Sequence, residues 1–225
     1  MLAPTSTPTP AGFWNADEKN GGERRSDAEM LENIRKKLKD GPKPWMGRFN
    51  EPLMEGLRVL SFDSGTANPA SASSTATATA VLSFGVTKRL CNDFDTLHGG
   101  AQATAVDLFT SILLDLVHPV PSVTTDLHVS CIAAAPLGSE ITAVCRVAKK
   151  GGTLQYASCD LYRVTGDADA VAATTTTTLS AASSSAPILV AKGLHTKYVV
   201  RKRTKGYGGE GATAAATGAP PRSRL

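Results

Sequence analysis

The stretch "GGAQATAVDLFTSILLDL", residues 99–116, decides the architecture that this chain predicts. It begins with two glycines and then becomes apolar, with large side chains in nearly every direction around a helix. A helix that is apolar on all sides is buried on all sides. Near its middle, the carboxylate of Asp107 interrupts the apolar run. We therefore predict a central core helix with an acidic residue, Asp107, whose role the apolar pattern does not explain.

Strand patterns surround this helix. Six segments rich in β-branched residues flank it, two before and four after: 57–62, 79–88, 122–132, 139–150, 153–164 and 188–200. At the start, residues 26–39 predict a peripheral helix, because Ser26 and Glu29 form a capping box and Gly41-Pro42 ends it. One antiparallel sheet curled around the central helix would cover it on several sides. The predicted fold class is α+β, a hotdog fold with an antiparallel sheet wrapped around a buried helix.

Composition limits how much of the 225 residues can fold. Several segments consist almost entirely of Ala, Ser, Thr, Gly and Pro, and lack the large apolar side chains that offset the entropy of ordering. We predict a flexible N-terminal tail over 1–25, a domain over 26–200 and a flexible basic tail over 201–225. Within the domain, residues 64–75 and 165–187 are predicted low-complexity inserts.

The net charge of +4 is unevenly distributed. From Lys192 onward there are eight Lys or Arg and one Glu, so the excess lies in the C-terminal arm and the rest of the chain is mildly acidic. A nucleic-acid-binding arm would carry aromatic residues for stacking, and these are sparse there. We interpret the arm as a solvated spacer and expect no nucleic-acid partner. No apolar run reaches the roughly 18–20 residues of a membrane span, and we expect none.

The cysteines are Cys91, Cys131, Cys145 and Cys159. They show no CxxC spacing and no His/Cys ligand pattern, and three of them fall in strand-like runs where a free thiol acts as a small apolar side chain. We expect reduced cysteines, no disulfide framework and no metal site.

Four motifs in order carry a family resemblance: "TLHGGAQATAVD", "VTTDLHVS", "APLGSEITAVCRVAKKGGTLQYASCDLY" and "KGLHTKYV". Together they resemble the PaaI-type hotdog acyl-CoA thioesterases, in particular the acyl-CoA thioesterase 13 (thioesterase superfamily member 2) group. The resemblance implies a homodimer or a dimer of dimers that hydrolyses acyl-CoA thioesters to free acid and CoA, without metal or prosthetic group. The two inserts are longer than the family's loops, and Thr124 stands where the family typically has Ser.

The resemblance also implies roles for residues at the reacting thioester. Hydrolysis passes through a tetrahedral oxyanion, which needs donors on one side and a base or nucleophile on the other. The backbone N–H of Gly99 and the side chain of Asn92 would polarise the carbonyl. Asp107 would act as general base or as nucleophile, and Thr124 would orient the attacking water, with Asp126 as a second candidate for that role.

Gly99 and Asp107 are eight residues apart on one predicted helix, about 12 Å at 1.5 Å per residue. Both therefore cannot easily reach one carbonyl, and the resemblance implies that the site is shared across a dimer. For His98 two interpretations stay open, a loop histidine or a residue that positions the glycine turn. The candidate substrate and CoA contacts are Lys88, His98, Asp126, Lys149, Lys150, Gly151, Gly152, Thr153, Leu154 and His195.

Two other functions stay open beside hydrolysis. One is a hotdog protein that binds acyl-CoA without turnover; the other, less favoured because no second Asp/His pair is visible, is a hotdog hydratase or dehydratase. The last three residues, Ser223-Arg224-Leu225, resemble a C-terminal Ser-Lys-Leu peroxisomal signal. We therefore expect a peroxisome or related microbody, reached through an import receptor, with the cytoplasm or the mitochondrion as alternatives.

Overall fold

The computed structural model describes residues 25–41, 43–65, 77–164 and 186–200. In this part of the chain there are three α-helices: α1 (Asp27–Asp40), α2 (Glu51–Met54) and α3 (Gly99–Val117). Six strands accompany them: β1 (Arg58–Asp63), β2 (Thr79–Gly85), β3 (Ser122–Cys131), β4 (Glu140–Lys150), β5 (Leu154–Val164) and β6 (Ile188–Val199). A short 3₁₀ helix spans Lys88–Leu90.

The six strands form one sheet in which every neighbouring pair is antiparallel, in the order β1-β2-β4-β5-β6-β3. Helix α3 contacts each strand from β2 to β6, so the sheet curls around it. Phe109 of α3 packs against Phe84 of β2 with ring centroids 5.6 Å apart. This is the hotdog arrangement that the sequence predicted, and the prediction is confirmed.

Helix α3 is buried because of its composition. Its fully enclosed apolar side chains are Val106, Phe109, Ile112, Leu113, Leu114 and Leu116. Removal of apolar surface area from water stabilises a fold by roughly 25 cal/mol per Å². Taken by itself, α3 is long and apolar enough to cross a membrane. In this fold, however, half of its most apolar window is buried.

The two edges of the sheet differ. Beside β1, the predicted capping box starts α1: Ser26 Oγ accepts from the Glu29 N–H at 3.3 Å, and the Ser26 N–H donates to Glu29 Oε2 at 2.9 Å. The Arg35 guanidinium of α1 then donates to the carbonyls of Val59 and Leu60 at 3.0 and 2.8 Å. At the opposite edge, β3 has no outer neighbour among the described residues. An uncovered edge strand offers a row of backbone groups for pairing.

Sequence-based boundaries agree with the structure within a few residues. The predicted strand 79–88 ends at Gly85 because residues 88–90 turn into the 3₁₀ helix, and the short helix α2 had not been predicted. The two tails, most of both inserts and Ser223-Arg224-Leu225 lie outside the described residues.

Candidate active site

Asp107 lies at the meeting point of α3, β3 and β6. The hydroxyl of Thr124 in β3 donates to Asp107 Oδ1 at 2.8 Å. His195 in β6 places Nε2 3.2 Å from the same carboxylate oxygen and 3.0 Å from Thr124 Oγ1. The Asp107 side chain remains 42% exposed, whereas that of His195 is completely enclosed. The carboxylate in the apolar helix is thus held by a strand hydroxyl while one side faces solvent.

Strand geometry brings these side chains to the helix. Successive side chains of a strand point to opposite faces, so in β6 His195 and Lys197 face α3, while Leu194 is 58% exposed on the outer face. In β3 the register against β6 shifts between Thr124 and Asp126. Bulges of this kind re-aim side chains, and here the Thr124 hydroxyl meets Asp107.

The second ring nitrogen of His195 also has a hydrogen-bond partner. Its Nδ1 lies 2.6 Å from the hydroxyl of Thr110, one turn beyond Asp107 on α3. Burial lowers the pKa of His195 from 6.5 to about 4, with Lys197 acting in the same direction and with Asp107 and Asp126 opposing the shift. The imidazole is therefore neutral at pH 7 and can supply only one ring N–H.

A buried lysine lies in the same layer, and the sequence analysis did not identify it. Lys197 is 9% exposed and its Nζ donates to Ser111 Oγ at 2.8 Å. Burial lowers the pKa of Lys197, while Asp107 and Asp115 act to raise it. Inward- and outward-facing residues alternate along β6, and Lys197 is two residues after His195. This alternation was the signal that could have placed Lys197 on the inner face.

Asp107 opens into a groove of about 490 Å³. Leu108, Leu127 and Phe49 form an apolar wall, and the polar lining consists of Asp107, Thr124, Arg48, Asn50 and Thr104. Phe49, in the loop before α2, is 86% exposed and was not among the predicted site residues. A slightly larger groove between α1 and β1, of about 510 Å³, contains none of the predicted site residues.

The predicted carbonyl-polarising groups lie at the start of α3. Gly99 is its first residue and is exposed, and a Cβ built there would lie 3.6 Å from Cys131 Sγ, an ordinary contact. Asn92 Oδ1 accepts from the N–H groups of Phe94 and Thr96 at 3.0 and 3.2 Å. With Oδ1 committed to its own loop, the Asn92 amide Nδ2 is the atom that can donate to a ligand.

His98 is the N-cap of α3. Its Nδ1 accepts the N–H of Gly100 at 2.8 Å, which satisfies one of the unpaired donors at the helix start. This contact is the one expected of a residue that positions the glycine turn. Because the regular helix α3 separates Gly99 from Asp107 by eight residues, about 12 Å, one protomer does not bring carbonyl donors and carboxylate together.

The predicted CoA contacts do not converge within one protomer either. Lys88 pairs with Asp95 near the start of α3, a contact that raises the pKa of Lys88. Lys149 and Lys150 are exposed at the end of β4, and the turn Gly151–Leu154 that follows lies near the other end of α3. That position follows from the next residue along β5, Gln155, whose Nε2 lies 2.7 Å from His118 Nδ1.

Two of the predicted ligand contacts, His195 and Asp126, differ in exposure. His195 is 1% exposed and faces α3, with its imidazole beside Asp107 and Thr124, and its contact with substrate or CoA stays a prediction. Asp126 is exposed on β3 opposite Thr196, and makes no hydrogen bond to Asp107. Among the described residues, no group of three His, Cys, Asp or Glu side chains is arranged to hold a metal ion.

A protein-family model matches part of the chain. Residues 94–170 match the family model of the thioesterase superfamily, a span that contains Gly99, Asp107 and Thr124. The fold and this match agree with the predicted resemblance: the described part of the chain has the hotdog fold, and residues 94–170 are similar to the thioesterase superfamily.

Particular relatives are similar over about half of this chain. Acyl-coenzyme A thioesterase 13 of Homo sapiens is 33% identical over 110 residues, and that of Mus musculus 31% over 109 residues. Each match covers 48% of this chain, which spans only 64% of the relative's length.

Solved structures support the fold in the same way. Thioesterase superfamily member 2 of zebra fish superposes with a TM-score of 0.52 at 24% identity, covering 78% of this chain and all of that one. The Mus musculus protein gives 0.52 and 24%, covering 75% and 96%. These superpositions show a common fold and, at 24% identity, nothing beyond it.

Proposed function

We propose that this protein hydrolyses acyl-CoA thioesters to free acid and CoA. The observation that carries the proposal is the Asp107 carboxylate, held by the Thr124 hydroxyl at 2.8 Å and open to a groove with an apolar wall. The relatives named acyl-CoA thioesterase 13 suggest the CoA thioester as the substrate class. Acyl-CoA binding without turnover is the alternative that an assay separates.

In the proposed reaction Asp107 acts as general base. It takes a proton from a water molecule that Thr124 Oγ1 also contacts, and the water oxygen attacks the thioester carbon. The tetrahedral intermediate collapses with cleavage of the C–S bond, and the proton held by Asp107 passes to the CoA thiolate. Direct attack by the Asp107 carboxylate, through a mixed anhydride that water opens, is the second route and needs the same residues.

Gly99 and Asn92 would stabilise the oxyanion. The Gly99 N–H is at the N-terminus of a 19-residue helix, where unpaired N–H groups and the positive end of the helix dipole favour negative charge. Asn92 would add its Nδ2 donor from the adjacent loop. Loss of one such donor typically costs about 10²–10³ in kcat.

A second copy of the chain would supply these donors to Asp107. Strand β3 is ten residues long and its outer edge is uncovered in the described part of the chain. If two copies pair antiparallel along this edge about a two-fold axis between Leu127 and His128, Thr124 of one copy lies opposite Cys131 of the other. Because Gly99 lies beside Cys131, its N–H then approaches the Asp107 of the other copy.

The same pairing would assemble a CoA site. The turn Gly151–Leu154 lies near the start of β3, since Leu154 pairs with Tyr198 and Tyr198 with Val123. Antiparallel pairing would bring this turn, with Lys149 and Lys150, toward the Lys88 end of the second copy. Exposed lysines and a glycine turn are suitable partners for phosphate groups.

A thiol-release assay on the purified full-length chain, with acyl-CoAs of different chain lengths, tests the proposal. We expect turnover by the wild type and a loss of about 10²–10⁴ in kcat for Asp107→Asn. Asp40→Asn, at the exposed end of α1, is the matched control and should keep wild-type rates. Binding of acyl-CoA without thiol release would favour the non-catalytic alternative, and wild-type rates for Asp107→Asn would refute the assignment.

A further inference from the structure

The donor and acceptor roles in the hydrogen bonds among Asp107, Thr124 and His195 follow from counting the available hydrogens. A threonine hydroxyl carries one hydrogen, and an ionised carboxylate only accepts. The hydrogen of Thr124 therefore goes to Asp107 Oδ1, 2.8 Å away. The 3.0 Å contact between Thr124 Oγ1 and His195 Nε2 then requires that the ring nitrogen donates. The same N–H also points toward Asp107 Oδ1 at 3.2 Å, which favours this protonation further.

The other ring nitrogen must then accept. His195 is neutral at pH 7, so with its proton on Nε2 the Nδ1 atom has a bare lone pair. Thr110 Oγ1 lies 2.6 Å from Nδ1 and is the group that can donate to it. This hydroxyl has two competing acceptors in α3: the carbonyl of Val106, one turn back, is also 2.6 Å away, and that of Asp107 is 3.2 Å away. Threonine in a helix commonly donates to that i−4 carbonyl.

The two choices have different consequences at Asp107. If Thr110 donated to Val106, Nδ1 would have to carry the imidazole proton and Nε2 would turn a lone pair toward the Asp107 carboxylate at 3.2 Å. Two acceptors would then face each other, and one of them would be an ionised carboxylate, which is unfavourable. With Thr110 donating to Nδ1, the contacts from Thr110 through His195 and Thr124 to Asp107 each pair one donor with one acceptor. The Val106 carbonyl then faces the Thr110 oxygen without its hydrogen, but both groups are neutral and the carbonyl lies within α3, where it accepts a backbone N–H, so this conflict costs less.

We propose that Thr110 is a positioning residue: its hydroxyl holds His195 as the Nε2–H tautomer, and His195 in turn directs the Thr124 hydroxyl to Asp107. In this arrangement Thr124 Oγ1 accepts from His195 and keeps one lone pair for the attacking water. Thr110 touches neither water nor substrate, and acts through two intermediate side chains. The kinetic consequence rests on the proposed hydrolase function, whereas the tautomer does not.

The chain offers a matched set of variants. Thr110→Val keeps the shape and removes the hydroxyl, and Thr110→Ser keeps the hydroxyl. Thr142→Val is the control, because Thr142 in β4 is equally enclosed and its hydroxyl has no partner within the described residues. We expect Thr110→Val to lower kcat about tenfold or more, with KM within about twofold, while Thr110→Ser and Thr142→Val stay within about threefold of the wild type.

The second readout is the tautomer itself. In full-length protein with ¹⁵N-labelled histidine at pH 7, the His195 ring signals are assigned by their absence from His195→Asn. We expect a protonated Nε2 and an Nδ1 that accepts a hydrogen bond, and Thr110→Val should shift Nδ1 toward the value of a free lone pair. This measurement needs no substrate, so it decides the inference even if the protein does not hydrolyse acyl-CoA.

Two results would overturn the inference. One is a wild-type His195 protonated on Nδ1, and the other is a folded Thr110→Val protein with wild-type kcat. Thermal unfolding checks that the variant is folded. If Thr110→Val does not fold, Thr110→Ala replaces it in the kinetic comparison, and the wild-type tautomer still supports or refutes the proposal.

Discussion

Thr124 Oγ1 lies 2.8 Å from Asp107 Oδ1, and this contact joins the edge strand of the sheet to the middle of its core helix. The strand that presents the hydroxyl is also an edge strand, with no outer neighbour among the described residues. Any copy of the chain that pairs with β3 therefore approaches the carboxylate. The proposed chemistry and the proposed assembly depend on the same ten residues.

Thr124→Val should lower kcat by about 10²-fold, because the isosteric change removes the hydroxyl that orients both water and carboxylate. Thr124→Ser restores a hydroxyl without the methyl group and should retain most of the wild-type rate. Thiol-release kinetics with one acyl-CoA measure both. Equal rates for Thr124→Val and the wild type would exclude a role for this hydroxyl.

Mixed dimers test the shared site. Asp107→Asn and Gly99→Val proteins should each be nearly inactive, and co-refolding them should restore part of the activity, because a mixed dimer rebuilds one complete site. Asp107→Asn mixed with Thr124→Val is the control, since both changes affect the same half of each site and no complete site can form. Recovery in the control mixture, or a fully active monomer in sedimentation experiments, would contradict the shared site.

Buried His195 should make stability depend on pH. Its pKa is about 4 when folded against 6.5 when unfolded, so between these values the unfolded chain binds more protons. Stability is therefore lost as pH falls from 6.5 to 4, with a slope of at most about 1.4 kcal/mol per pH unit. Urea unfolding should show this component in the wild type and in His128→Asn, an exposed control, but not in His195→Asn. Identical slopes in all three proteins would argue against it.

Both low-complexity inserts should be dispensable for folding. Asp63 pairs with Thr79, and Arg163 with Ile188, so each insert joins strand ends that already lie side by side. The entropy cost of closing a loop depends only weakly on the length of the loop, so a shorter connection should be tolerated. Replacement of residues 66–75 or 165–185, which lie within the predicted inserts 64–75 and 165–187, by a short Gly-containing turn should keep cooperative unfolding and thiol release. A protein that no longer folds would show that these residues make native contacts.

Much of the architecture follows from local sequence patterns. The all-round apolar run predicts α3 as a core helix, the capping box at Ser26 predicts the start of α1, and the four motifs in order predict the class of domain. These signals depend on neighbours within a few residues, where helical and strand periodicity and turn chemistry are encoded. Gly99, Asp107 and Thr124 could be named for the same reason, because each belongs to a short motif.

The contacts behind Asp107 depend on the tertiary structure. Thr124 and His195 are 71 residues apart and meet because β3 pairs with β6, while Thr110 meets His195 across 85 residues because β6 runs along α3. Local periodicity does not specify which distant strands pair, or which polar side chains they enclose. The sequence by itself therefore determined the helix, the strands and the place of the Asp107 carboxylate in the core helix. Only the packing of β3 and β6 against α3 decided that a neutral imidazole and a buried lysine lie behind that carboxylate, since strand order and burial are properties of the whole sheet.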